Sequence, residues 1–73
     1  MGHLYKIKLA DGFYIIRDVL ADRYLKFYQV NSDGTELPVW CHAITAAGKF
    51  AESEIADVSV KLANLGYKIQ NAR

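Results

Sequence analysis

Residues 4–17 read LYKIKLADGFYIIR, and they predict the β-hairpin from which the rest of the fold is built. In the strand predicted over residues 4–9, apolar or aromatic side chains alternate with lysines, a period typical of a strand with one face in water. Asp11-Gly12 separates this run from a second one at residues 13–19. Asp-Gly between two such runs predicts a two-residue hairpin loop, because glycine adopts a positive φ at little cost.

The predicted loop also determines which residues of the hairpin face each other. A two-residue loop pairs Leu9 with Tyr14 and Ile7 with Ile16. Successive side chains of a strand point to opposite faces, so these four apolar residues are predicted to share the face toward the core. The lysines of the first strand are then predicted on the opposite face.

Two more strands and one helix complete the predicted fold. Residues 24–30 and 37–42 alternate as strands around a turn-forming Asn-Ser-Asp-Gly, whereas residues 44–50 fit neither a strand nor a helix period. From residue 51 the apolar spacing is helical, carried by Ile55, Val58, Leu62 and Leu65. The sequence predicts an α+β fold: an antiparallel β-meander of three to four strands, one C-terminal α-helix packed on one face, and a short final strand at residues 67–70.

The two ends of the predicted helix carry recognisable capping residues. Ser53 is the predicted N-cap, since a serine oxygen can accept a hydrogen bond from a free backbone N–H in the first turn. Gly66 is predicted at the C′ position of a Schellman ending, which brings Leu62 and Tyr67 together.

Length and composition predict one α+β domain over residues 1–73. A chain of 73 residues with 52% apolar and 23% charged residues is typical of a small globular domain. The net charge of +1 gives no field that would attract a phosphate backbone or an anionic membrane, and no apolar run approaches the roughly 18 to 20 residues of a membrane span. The single Cys41 excludes an intrachain disulfide and fits a reducing compartment, so we expect a cytoplasmic protein.

No residue pattern in the chain predicts catalysis, a cofactor or a metal. Cys41 and His42 are adjacent on a predicted strand, so their side chains point to opposite faces and cannot form a dyad. One cysteine and two histidines without ligand spacing do not make a closed zinc site. The acids at residues 52, 54 and 57 fit the start of a helix, where the dipole favours them. We therefore expect a non-enzymatic protein.

One sheet face is the candidate interaction surface in this interpretation. It combines aromatic and basic side chains from three predicted strands: Tyr24, Lys26, Tyr28, Trp40, Lys6 and Lys8. Tyrosines of this kind can bind a protein partner or a second copy of the chain in a homodimer, or can simply pack with their hydroxyls in water. With Arg17 nearby they can also stack the bases of a nucleic acid. A buried Trp40 would mean that the two faces are assigned the wrong way round.

The second half of the chain resembles small accessory proteins of phages and prophages of Gram-positive bacteria. The resemblance covers residues 40–67 and rests on the motif Ala47-Gly48-Lys49-Phe50, on Ala56 after an acidic helix start, and on Leu65-Gly66-Tyr67. It implies an accessory protein that binds and modulates a host protein, and it transfers no site residues.

Overall fold

The computed structural model describes residues 3–71, which form one five-stranded sheet with one α-helix packed on it. The elements are β1 (His3–Lys8), β2 (Tyr14–Asp18), β3 (Arg23–Val30), β4 (Glu36–Cys41), a 3₁₀ turn (Ile44–Ala46), α1 (Glu52–Asn64) and β5 (Lys68–Asn71). Strands lie in the order β4-β3-β2-β1-β5, with an antiparallel meander from β1 to β4 and with β5 parallel to β1. The predicted α+β fold is confirmed.

The first hairpin closes through three residues rather than the predicted two. The Leu9 N–H donates to the Phe13 carbonyl at 2.7 Å, and Gly12, with φ +89°, donates its N–H to the Leu9 carbonyl at 3.0 Å. A turn followed by a left-handed glycine is the usual form of a three-residue hairpin loop. The register therefore pairs Ile7 with Ile15, one residue away from the prediction. Because a one-residue slip exchanges the two faces of a strand, the predicted facing of this hairpin is wrong.

The core lies between α1 and one face of the sheet. It consists of six buried apolar side chains, three from the strands and three from the helix: Leu4, Ile16, Leu25, Ile55, Val58 and Leu62. Each fully buried side chain of this size contributes about 1.5–3 kcal/mol from its removal from water. In β1, Leu4 and the two lysines occupy alternate positions and therefore point to the same face of the sheet. The lysines thus lie on the helix-bearing face, and Ile7 lies on the opposite face.

A β-bulge interrupts β3 at Lys26. Leu25 pairs with Trp40 and Phe27 with Val39, so Lys26 is an extra residue on one strand. Beyond the bulge the alternation changes, and the helix-bearing face receives Tyr28, which packs on the core, instead of Phe27. Uninterrupted alternation over residues 24–30 predicts Leu25 and Phe27 on one face, and the bulge is the reason that they lie on opposite faces.

Residues 44–50, which fit no period in the sequence, fill a gap between β2 and β3. These two strands pair at only two positions. Past that point, the Gly48 N–H donates to the Leu25 carbonyl at 3.0 Å, and Tyr14 and Phe50 exchange two backbone hydrogen bonds of 2.8 Å each. The approach is close: a Cβ on Gly48 would overlap the Lys26 carbonyl oxygen and lie 2.9 Å from its carbon. The sheet is continuous here only because this later segment enters it.

The helix begins at a different N-cap from the one predicted. Ala51 has an extended backbone and precedes the first helical residue, whereas Ser53 lies inside α1. Alanine has no capping oxygen, but the Glu54 carboxylate accepts a hydrogen bond of 3.0 Å from the Ala51 N–H. This is the reciprocal half of a capping box, so the Ser53 prediction is wrong although the acidic first turn is present.

The other end of α1 is the predicted Schellman ending. Gly66 has φ +95° and donates its N–H to the Ala63 carbonyl at 3.0 Å, while the Tyr67 N–H reaches the Leu62 carbonyl at 3.2 Å. Both carbonyls would otherwise lack a partner at the helix end. The chain then turns directly into β5.

Candidate functional site

The six residues of the predicted interaction surface do not lie on one face of the sheet. Trp40 and Tyr28 pack against the core on the helix-bearing face, and the lysines of β1 share the alternation of that face. Tyr24 is buried on the opposite face, where it pairs with Cys41. Lys26 is exposed at the bulge. The structure thus corrects the predicted surface, because the hairpin register and the bulge each exchange faces.

Tyr24, one of the two tyrosines of β3 in the predicted surface, is held by contacts with Arg17. The Tyr24 hydroxyl accepts a hydrogen bond from Arg17 Nη1, and the Arg17 guanidinium lies 5.2 Å from the Tyr24 ring centroid. Arg17 Nη2 also bonds Asp22 Oδ1 at 2.7 Å. A base cannot stack on a ring that is already buried and covered by a guanidinium.

The sheet face opposite α1 carries apolar side chains where lysines were predicted. Six of them form what we call the apolar face, and they come from β1, β3, β4 and the hairpin loop: Ile7, Leu9, Phe13, Phe27, Leu37 and Val39. Phe27 is 45% exposed and Leu37 51% exposed. Large apolar residues that are exposed together mark a contact surface more often than scattered single ones do.

Two of the cations near the apolar face are neutralised within the chain. Arg17 pairs with Asp22 at one end, and Lys49 Nζ lies 3.1 Å from Asp11 Oδ2 beside the hairpin loop. The Phe13 N–H, which donates to Asp11 at 3.0 Å, and then Lys49 hold the pKa of Asp11 below its usual value. The carboxylate is therefore charged and paired at neutral pH, and of the three cations near the face only Lys26, beside Phe27, has no ion pair among residues 3–71.

A second cluster, which we call the Arg23 cluster, connects β2, β3, β4 and the end of the helix. It contains Asp18, Arg23, Trp40 and Tyr67. Arg23 Nε donates to Asp18 Oδ2 at 3.0 Å, and the guanidinium lies 4.1 Å from the Trp40 ring centroid. Arg23 Nη2 lies 3.4 Å from the Tyr67 hydroxyl, and the Trp40 and Tyr67 ring centroids are 5.8 Å apart.

The buried carboxylate of this cluster has its hydrogen bonds satisfied. Asp18 Oδ2 accepts from Arg23, and Oδ1 accepts from the Ala21 N–H at 3.2 Å. An open groove of about 440 Å³ lies alongside, with Leu20 and Leu65 among its exposed lining residues. A paired, hydrogen-bonded aspartate fixes the turn between β2 and β3, and this role accounts for its burial. No local sequence pattern indicates this cluster, because Trp40 and Tyr67 reach Asp18 and Arg23 from distant parts of the chain.

Tyr28 has a buried hydroxyl that finds no hydrogen-bond partner among residues 3–71. Burial, followed by the nearby Tyr67 and Glu36, raises the pKa of Tyr28 to about 12. Lys61 Nζ lies 5.5 Å from the centre of the Tyr28 ring and donates to Glu36 Oε1 at 2.9 Å. Tyr28 is therefore a packed residue of the helix side and not part of an open surface.

Cys41 and His42 contact separate backbone carbonyls. The Cys41 Sγ lies 3.5 Å from the Ala43 oxygen, and His42 Nδ1 lies 3.3 Å from the Asp22 oxygen. Within residues 3–71, no three side chains of the His, Cys, Asp or Glu type come close enough to hold a metal ion. Within the same range, α1 is too short and too polar to cross a membrane.

Comparisons of the chain with protein-family models, with curated protein sequences and with solved structures give no match. The apolar face and the Arg23 cluster are therefore interpreted from their own geometry.

Proposed function

We propose that this chain is a small non-enzymatic interaction module that binds a protein partner through the apolar face. The observation that carries the proposal is that Phe27 and Leu37 lie about half exposed on adjacent strands, on the side of the sheet that α1 leaves uncovered. Burying such side chains against a partner gains roughly 25 cal/mol for each Å² of apolar surface removed from water. Rigid strands also hold them in place before binding, which lowers the entropy lost on association.

The chemistry of the face specifies the kind of partner. None of its six residues carries a charge, and two of the nearby charges are already in the pairs Arg17–Asp22 and Lys49–Asp11, which leaves the exposed Lys26 beside Phe27 as a single charge at the border. The complementary surface is therefore apolar and uncharged. Affinity for such a partner should change little with salt, because salt screens charges and not apolar contacts.

A nucleic-acid function is the other proposal, and the positions of its residues support it less. Stacking requires aromatic rings beside the cations that hold the phosphates. Lys6 and Lys8 lie on the helix-bearing face, whereas Phe27 lies on the opposite face. A nucleic-acid partner would also give an affinity that falls steeply as salt is raised, which separates the two proposals in one titration.

The setting of this module follows from the sequence and is proposed on that basis. A single cysteine stays reduced in the cytoplasm, so we place the interaction there. If the resemblance to phage accessory proteins reflects common descent, the partner is a host protein that the module binds and modulates.

Site-specific photo-crosslinking tests the proposal. A photoreactive residue replaces Leu37 on the apolar face or, as a control, Val60, which is 60% exposed on α1. The protein is then illuminated in lysate from its source cells, with and without nuclease. We expect a nuclease-resistant protein adduct at Leu37 only, which Phe27→Glu removes and Val30→Glu does not. Equal adducts at both positions, or an adduct that nuclease abolishes, would contradict the proposal.

A further inference from the structure

We infer that the partner is a second copy of this chain, packed face to face about a twofold axis through the apolar face. This inference rests on the proposed function and names its partner. In a twofold interface the same patch is contributed by both copies, so the patch must be complementary to itself. Two features favour such an interface: the charge of the face and the adjoining sheet edge.

The charge of the face favours a second copy. Two identical surfaces place like charges opposite like charges, which is unfavourable wherever a free charge is present. Here the six face residues are uncharged, and the border charges of Arg17 and Lys49 are each paired within their own chain. The net charge of +1 per chain adds little repulsion at a distance. A strongly charged partner, in contrast, would find no counter-charge on this face.

The adjoining sheet edge favours stacking of faces over lengthening of the sheet. β4 is an edge strand, and Pro38 lies within it. Proline has no N–H to donate to a neighbouring strand, which opposes pairing of two β4 edges. Leu37 and Val39 on either side of Pro38 instead present their side chains on the apolar face. Two copies therefore form a sandwich, with their helices outermost.

Sedimentation equilibrium from about 1 to about 200 μM tests the inference. We expect the mass to rise toward twice 8.2 kDa with concentration. Phe27→Glu and Leu37→Glu should each weaken dimerisation by at least about tenfold, because a carboxylate would be buried at the interface. The matched controls are Val30→Glu, 65% exposed on the same strand but on the helix side, and Val60→Glu on α1. Both should dimerise like the wild type.

The outcomes also separate this inference from the function on which it rests. A wild type that stays monomeric at about 200 μM overturns the dimer, and a protein adduct specific to Leu37 would then still support the interaction module. If Phe27→Glu and Leu37→Glu dimerise as strongly as the two controls, the dimer interface is not the apolar face. Circular dichroism confirms that each variant is folded, and Leu37→Glu, on the exposed edge strand, carries the test if Phe27→Glu does not fold.

Discussion

Replacing Gly48 with alanine should destabilise this domain far more than a single methyl group suggests. The φ of Gly48 lies outside the left-handed region, so an L side chain is compatible with the backbone there. Alanine at such a position normally stabilises a protein by about 0.4–1 kcal/mol, because it restricts the unfolded chain. At Gly48, however, the new Cβ would overlap the Lys26 carbonyl oxygen and also lie 3.2 Å from Phe50 Cζ. A backbone oxygen cannot rotate aside as the end of a side chain can.

The loss of stability in Gly48→Ala can be estimated from the backbone segment that must move to make room for the new Cβ. If residues 48–50 withdraw from the sheet, three backbone hydrogen bonds are lost: one from Gly48 to Leu25, and two between Tyr14 and Phe50. At about 1 kcal/mol each, the loss is about 3 kcal/mol. Overpacking a tight site costs a similar amount, about 1–3 kcal/mol. A domain of this size has a free energy of unfolding of roughly 4–11 kcal/mol, so the change removes a large fraction of it.

Thermal unfolding followed by circular dichroism measures the effect, and Gly34→Ala is the matched control. Gly34 has φ +88° and open space where its Cβ would be, so its alanine variant should lose only about 1 kcal/mol through backbone strain. At about 4–8 °C per kcal/mol, Gly48→Ala should lower the Tm by at least about 12 °C. Exchange of the Phe50 amide hydrogen should also accelerate in Gly48→Ala alone. A Tm loss no greater than that of Gly34→Ala would refute the steric reasoning.

Three other changes test the helix end, the buried tyrosine and the Arg23 cluster. Gly66→Val should lower the free energy of unfolding by at least about 1 kcal/mol, because a β-branched residue resists the left-handed φ; an unchanged urea midpoint would contradict the Schellman ending. Tyr28→Phe should be neutral or stabilising by up to about 1 kcal/mol at pH 8, since it removes an unpaired hydroxyl. Because the folded pKa of Tyr28 is raised to about 12 from 10.0, the wild type should lose stability relative to Tyr28→Phe as the pH rises from 10 toward 12; a difference that stays constant between pH 8 and 11.5 would count against its burial. Arg23→Ala should cost about 3 kcal/mol in urea unfolding, because it leaves Asp18 buried without its partner, and a loss below about 1 kcal/mol would mean that water replaces the guanidinium.

The parts of the fold that could be predicted depend on neighbours in sequence. The alternation of residues 4–9, the helical spacing of residues 55–62 and the Gly66 ending are each decided within a few residues, and the structure contains all three. Leu65, the last residue of the predicted stripe, instead follows the helix and is 48% exposed. The α+β fold follows from their order along the chain. Such local patterns indicate which element forms, but for β1 they did not decide which face is buried.

The parts that could not be predicted depend on backbone groups far away in the chain. The bulge at Lys26 forms where the carbonyls of β3 meet Gly48, which comes more than twenty residues later. Period-two alternation continued past Lys26 then assigns Phe27 and Tyr28 to the wrong faces. The loop at Gly12 adds the same kind of error, since two- and three-residue hairpin loops share the Asp-Gly signature. The six residues of the predicted surface therefore do not share one face of the sheet.

The insertion of residues 48–50 between β2 and β3 also restricts the order in which this chain can fold. When the first four strands alone have formed, the Tyr14 N–H and carbonyl and the Leu25 carbonyl still lack the partners that Gly48 and Phe50 supply. A meander that leaves the ribosome before residues 48–50 therefore has a gap between β2 and β3, where backbone groups lack protein partners. Water must occupy this gap. Such non-local contacts raise the contact order and slow folding relative to a simple meander of the same length. The rate-limiting step should be the entry of residues 48–50 into this gap. If so, Gly48→Ala should refold more slowly than the wild type.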